Sequence, residues 1–141
     1  MRKRTRSREY ALQVLYQMDL TNSELADVLL DFWDNVGRDN ADAEVRAYAE
    51  EIVGGVLKNQ VSLDQTIERF AENWEIKRMA YVDRNILRLG AYELLHAQAI
   101  PLKVAINEAV ELAKRYGEPD SSKFVNGILD KIAKTESRKA D

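Results

Sequence analysis

Cysteine is absent from the 141 residues, which excludes disulfide scaffolds, thiolate zinc sites and cysteine nucleophiles. Histidine occurs once, as His96, so no multi-histidine metal site can be assembled and a Ser-His-Asp triad would have only that residue to use. A di-iron carboxylate site fails for the same reason, because it needs Glu-x-x-His on two helices. Gly54-Gly55 is not followed by the Lys-Ser/Thr of a phosphate loop. Neither an enzyme nor a cofactor or metal is expected. No apolar run approaches the roughly 18–20 residues of a membrane span. The opening MRKRTRSRE has no apolar stretch behind its basic residues and does not read as a signal peptide. A soluble, cytoplasmic chain is expected.

Apolar residues make up 45% of the chain and charged residues 32%, enough for a packed core. The length suits one domain spanning residues 1–141. A net charge of −3 argues against a nucleic-acid partner, but its distribution argues the other way. Arg2, Lys3, Arg4, Arg6 and Arg8 put five cations into the first eight residues, and taking them from −3 leaves −8 on the remainder. A basic N-terminal arm (1–8) on an acidic body suggests a polyanionic partner for the arm. The competing assignment is a solubilising tail.

Two prolines and six glycines are the only strong breakers, and the pattern is helical nearly throughout. A first helix is predicted over Ser7 to Asp19, with Ala11, Val14, Leu15 and Met18 on one stripe. A second covers Ser23 to Val36, followed by a turn-rich loop from Gly37 to Asp42. A third, Asp42 to Lys58, turns Val45, Tyr48, Ala49, Ile52, Val53 and Val56 inward. Gly54-Gly55 within it implies close helix contact or a bend, since each glycine costs about 1 kcal/mol in a helix. Ser62-x-x-Gln65 reads as a capping box opening a fourth helix through Phe70, with a link over Asn73 to Lys77. Three more helices follow, over Met79 to Ala97, Val104 to Tyr116 and Asp120 to Ala133. The sixth carries the stripe Ile106, Ala109, Val110 and Ala113 and ends at Gly117 as a C′ residue before Pro119. The seventh buries Val125, Ile128, Leu129 and Ile132 and takes its cap from Asp120, Ser121 or Ser122; the charged tail beyond it is expected to fray. The fold class is all-α, about seven helices in two packed bundles.

Candidate functional residues lie off the stripes. Tyr16 falls roughly 150° from the centre of the first stripe, two turns on from Arg8, where a tyrosine beside arginines makes a stacking platform for unpaired bases. Phe124 lies roughly 90° off the last stripe. Both have a competing assignment as core-edge aromatics. The helix start at Asp120-Ser121-Ser122, with Lys123 beside it, offers N–H groups and hydroxyls that attract phosphate. Asp120 would repel phosphate, so this start either hydrogen-bonds a base or only caps the helix. Lys103, at the start of the sixth helix, is another cation beside exposed N–H groups. His96 at a helix end and the Glu108/Glu111 pair read as structural, with Glu111 placed to pair with Arg115.

Four segments together resemble the bacterial NusB family. They are REYALQVLY (Arg8 to Tyr16), DRNILRLGAYEL (Asp83 to Leu94), PLKVAINEAVELAK (Pro101 to Lys114) and SSKFVNGIL (Ser121 to Leu129). The resemblance covers essentially the whole chain. It implies two three-helix bundles with an extra short helix, and an RNA-binding role in transcription antitermination. The partners it implies are boxA RNA of ribosomal RNA operon leaders, the small-subunit ribosomal protein NusE, and an elongating RNA polymerase with other Nus factors. By position it carries RNA contact to Arg4, Arg6, Arg8, Tyr16, Lys103, Asp120, Ser121 and Phe124. Thr5 interrupts what is often a continuous arginine run. Asp83 and Glu93 are candidates for the NusE surface, with an intrahelical pair such as Asp83 with Arg88 as the alternative. The competing class is a protein-interaction module, homodimerisation included, in which the arm serves only solubility or acidic partners.

Overall fold

The structure is a computed structural model that describes residues 2–35, 42–72 and 74–136. Among them are seven α-helices: α1 (Lys3–Thr21), α2 (Leu25–Asn35), α3 (Ala43–Lys58), α4 (Gln60–Phe70), α5 (Tyr81–His96), α6 (Leu102–Tyr116) and α7 (Ser121–Thr135), with a single 3₁₀ turn at Ile76–Arg78. The chain divides into two compact units, Met1–Gly54 and Gly55–Asp141, with the boundary inside α3. Val36, positions 37–41 of the loop predicted over 37–42, and the end of the tail, 137–141, lie outside the described residues. None of the described helices is long and apolar enough to cross a membrane.

In the first unit, α1 starts four residues earlier than its apolar stripe predicts, so most of the basic arm is helical. Periodicity could not show this, because Lys3 and Arg4 are held by residues on α3. Lys3 Nζ meets Glu44 Oε1 at 2.6 Å and Asp42 Oδ2 at 3.2 Å. The Ser7 hydroxyl donates to the Val45 carbonyl at 2.8 Å. The helix runs to Thr21, two residues past the predicted Asp19, and ends at Asn22, whose left-handed backbone (φ 57°) lets its N–H close on the Met18 carbonyl. Tyr10, Ala11, Val14 and Leu15 form the buried side. Tyr10 packs edge-on against Phe32 and Trp33 of α2, at centroid distances of 5.6 and 5.5 Å. The Trp33 indole N–H, buried at one edge, donates to Glu50 Oε2 at 2.7 Å. The residues of α3 predicted to face inward are all buried.

The second unit is built around α5, in which every residue from Asn85 to Leu94 is buried. Helices α4, α6 and α7 all pack on it. Gly55 meets Tyr92 so closely that a Cβ would collide with the phenol ring, which accounts for one of the paired glycines; beside Gly54 there is open space. Arg88 grips Asp64 of α4 with two bonds, Nε to Oδ1 at 2.8 Å and Nη2 to Oδ2 at 3.0 Å, rather than pairing with Asp83. The capping box at Ser62 does not form: α4 begins at Gln60, and the Ser62 hydroxyl donates to the Asn59 carbonyl. The buried side of α6 is Ala105, Ala109, Leu112 and Ala113, a stripe turned from the predicted one, with Ile106 and Val110 half-buried. Glu111 pairs with Lys114 at 3.5 Å. Gly117 is extended (φ −94°, ψ −171°) rather than left-handed. Glycine is needed there for space instead, since a Cβ would lie 2.6 Å from the Ser121 side chain.

Candidate nucleic-acid interface

Two groups of side chains carry the candidate contacts, one in each unit. The first surrounds the start of α1. Helix N-termini carry the positive end of the backbone dipole, and carboxylates normally sit there. The first turn of α1 has no acid, and Arg2 precedes it without a side-chain cap. The Arg4 guanidinium lies 4.0 Å from the centroid of the Tyr48 ring, and Arg8 lies 5.8 Å from the same ring. Arg6 lies 5.7 Å from the Tyr10 centroid and donates to its hydroxyl at 3.3 Å. For Arg4 and Arg6 these ring contacts hold the guanidiniums in place and leave their charge. Arg4 is exposed and Arg6 half-buried, so both stay within reach of a phosphate.

Lys3 and Arg8 differ from them. The Glu44 carboxylate, then Asp42, holds the Lys3 ammonium above its ordinary 10.5. In return, the hydrogen bond from Lys3, aided by the backbone N–H of Glu44, holds Asp42 below its ordinary 3.8. The Lys3 charge is thus balanced within the protein. Arg8, expected among the phosphate contacts, is only 2% exposed. Its stem and head are enclosed on the inner side of α1, and its place beneath Tyr48 makes it a support for the surface. Tyr16 is 36% exposed, on the side of α1 away from Tyr10, Ala11, Val14 and Leu15. That placement agrees with its position off the stripe.

The second group lines a cavity of about 320 Å³ formed by Trp74, Met79, Ala80, Asp83, Glu118, Asp120, Ser121 and Phe124. Phe124 is half-buried, and its ring lies 5.6 Å from that of Trp74 at a tilt of 58°. Trp74 is 52% exposed. Its flanking segment is a polar link in the sequence, so no stripe marks the residue; an indole among AEN and EIK is the one available signal. Asp120 is exposed and makes no side-chain capping bond. Ser121, expected at the surface, is 3% exposed. Its hydroxyl oxygen accepts the Glu118 N–H at 2.9 Å and shapes the turn into α7. Lys103 is exposed on the first turn of α6, where no acid accompanies it. Glu93 is 0% exposed and so presents nothing to a docking partner, whereas Asp83 is half-buried at the cavity. His96 is the last residue of α5 and stacks on Tyr92 at 5.8 Å. Among the described residues no group of His, Asp and Glu could hold a metal ion.

Comparison with known proteins gives one consistent result. The NusB family pattern matches residues 5–134. The transcription antitermination protein NusB of Anaeromyxobacter sp. (strain Fw109-5) is 50% identical over 131 residues, covering 93% of this chain and 90% of that protein. The NusB protein of Sorangium cellulosum (strain So ce56) is 45% identical over 138 residues, covering 98% and 96%. Among solved structures, T. maritima NusB superposes with a TM-score of 0.88 at 39% identity, over 96% of this chain and 94% of that one. A chain from a crystal structure of the antitermination factors NusB and NusE in complex with dsRNA superposes with a TM-score of 0.82 at 30% identity, over 95% and 98%.

Proposed function

The chain belongs to the NusB family of transcription antitermination proteins, and from that premise we propose that it is an RNA-binding adaptor that works with NusE. In this reading the pair holds boxA RNA from ribosomal RNA operon leaders, in the cytoplasm. The complex joins an elongating RNA polymerase with other Nus factors and helps it read through terminators. The observation that supports it best is the start of α1, where Arg2, Arg4 and Arg6 gather at a positive helix pole with no acid in the first turn. Contacts with Tyr48 and Tyr10 hold the Arg4 and Arg6 side chains, but the helix dipole opposes cations at this pole, and an arriving phosphate relieves that.

The exposure and chemistry of these residues support a division of labour. Arg4 and Arg6, with Lys103, meet phosphates, while Tyr16 and Phe124 stack on unpaired bases. Asp120 accepts from a base edge, since a carboxylate repels phosphate. Arg8 and Ser121 hold these contacts in place from within. The chain's net charge of −3 makes RNA binding by the chain alone weak, which gives NusE its part in the affinity. The test is fluorescence anisotropy of labelled boxA RNA over a salt series, with the chain alone and with NusE. Tight, salt-dependent binding by the mixture and weak binding by the chain alone are expected. Equal affinity with and without NusE would overturn the adaptor reading.

A further inference from the structure

The cavity beside α7 holds more than the proposed RNA contacts require. Trp74 is the most exposed of its aromatic residues, and its indole leans on Phe124. Asp83, Glu118 and Asp120 contribute three acidic residues to the lining, and among the described lining residues there is no lysine or arginine. A phosphate is unwelcome in such a place. A flat apolar ring with hydrogen-bond donors on its edge fits it: the aromatic faces take the ring, and the carboxylates take the donors. Nucleobases differ at that edge. Cytosine presents an amino group with two N–H donors, whereas uracil presents a single N3–H flanked by two carbonyl oxygens that carboxylates repel.

Building on the RNA-binding reading above, we propose that Trp74 is a base-stacking residue, and that its cavity takes one unpaired nucleobase and favours cytosine over uracil. The occupant follows from the cavity's continuity with Asp120 and Phe124 and from its complement of acceptors. The backbone of the bound nucleotide stays outside, away from the carboxylates. An arginine side chain from a protein partner also carries donors and a flat face, and the experiment separates the two.

The intrinsic emission of the full chain reads the site directly. Trp33 is buried, so a ligand at Trp74 changes the exposed indole's signal. Twelve-nucleotide oligo(C) and oligo(U) RNAs and an arginine-rich peptide are titrated at low salt, with anisotropy of labelled RNA in parallel. Oligo(C) is expected to quench the emission more strongly and at lower concentration than oligo(U), and the quenching should vanish in Trp74→Phe. Trp74→Ala should weaken oligo(C) binding about 5- to 150-fold, the range for loss of one stacked base, with Trp74→Phe recovering most of it. Asp83→Asn with Glu118→Gln should bring the oligo(C) and oligo(U) affinities together, because amides also donate. Circular dichroism confirms that each variant is folded. RNA binding that Arg4→Ala weakens but Trp74→Ala leaves unchanged would overturn this inference and spare the RNA-binding reading. Quenching by the peptide and not by RNA would reassign the cavity to a protein cation. No RNA binding by any variant, with or without NusE, would overturn both.

Discussion

Helices α1 and α7 begin in opposite electrostatic surroundings. The start of α1 gathers arginines at the pole where the backbone is already positive, whereas α7 is preceded by Glu118 and Asp120, charges that suit that pole. The arginines of α1 are therefore poorly explained by stability and well explained by an outside anion. The carboxylates before α7 serve the helix whether or not anything binds. Both starts also bury one polar residue to hold the exposed ones: Arg8 under Tyr48, and Ser121 under the Glu118 turn. A cation at one start and a carboxylate at the other should thus respond differently to the same kind of substitution.

The largest effect sets the reference for a structural arginine. Arg88→Ala leaves Asp64 without its two-bond partner in a largely buried site. Loss of about 3–5 kcal/mol of stability is expected in urea titrations. If Arg4→Ala costs as much, the contrast between binding and structural arginines is broken. Next come the aromatics. Tyr16→Ala and Phe124→Ala should each weaken RNA binding by about 1–3 kcal/mol at an unchanged salt slope. Tyr16→Ala should leave the melting temperature nearly unmoved. A large fall in melting temperature with RNA affinity intact would return either residue to the core.

A smaller effect distinguishes the arginines of α1 directly. Arg4→Ala should lower the slope of log affinity against log salt by about 0.7 and weaken binding to all RNA sequences alike, because one phosphate contact to a single strand is lost. Its stability should change by no more than about 1 kcal/mol, the loss of stacking on Tyr48 being set against relief at the helix pole. A changed preference among sequences would show that Arg4 reads bases. The smallest effect concerns Lys3, a cation at this start that Glu44 and Asp42 balance. Asp42 is held below 3.8 by Lys3, so its contribution is present above that value and is lost as pH falls through its lowered folded value. Lys3 is held above 10.5, so its contribution is present below that value and is lost as pH rises through the raised one. Lys3→Met should lower stability slightly across the neutral range and leave the acid and alkaline extremes unchanged, so that the stability–pH profile is a little flatter. Such exposed pairs contribute little.

Much of this contrast was legible before any coordinates. The stripes of α3 and α7, the off-stripe placing of Tyr16 and the charge asymmetry are local properties of the sequence, and the structure agrees with them. The features that were not legible depend on neighbours far along the chain. Lys3 and Arg4 extend α1 because Asp42, Glu44 and Tyr48 wait on or beside α3. Arg8 is buried for the same reason. Trp74 carries no periodic signal, and only its contact with Phe124, fifty positions on, marks it as part of a cavity. The Ser62 box failed because α4 had already begun at Gln60, two residues upstream.

The crowding between Gly117 and Ser121 has a consequence for how this chain can evolve. Any residue larger than glycine at 117 meets the Cβ of Ser121 as well as its hydroxyl, both at 2.6 Å, so trimming Ser121 to alanine gives no relief. Glycine at 121 would not suffice either, because the Ala113 carbonyl oxygen lies 2.9 Å from the same Cβ, and that change also deletes the acceptor of the Glu118 N–H and loosens the helix start. No change at 121 therefore opens position 117 to a side chain. Neutral drift should pass position 117 by, while an exposed neighbour such as Pro119 changes freely.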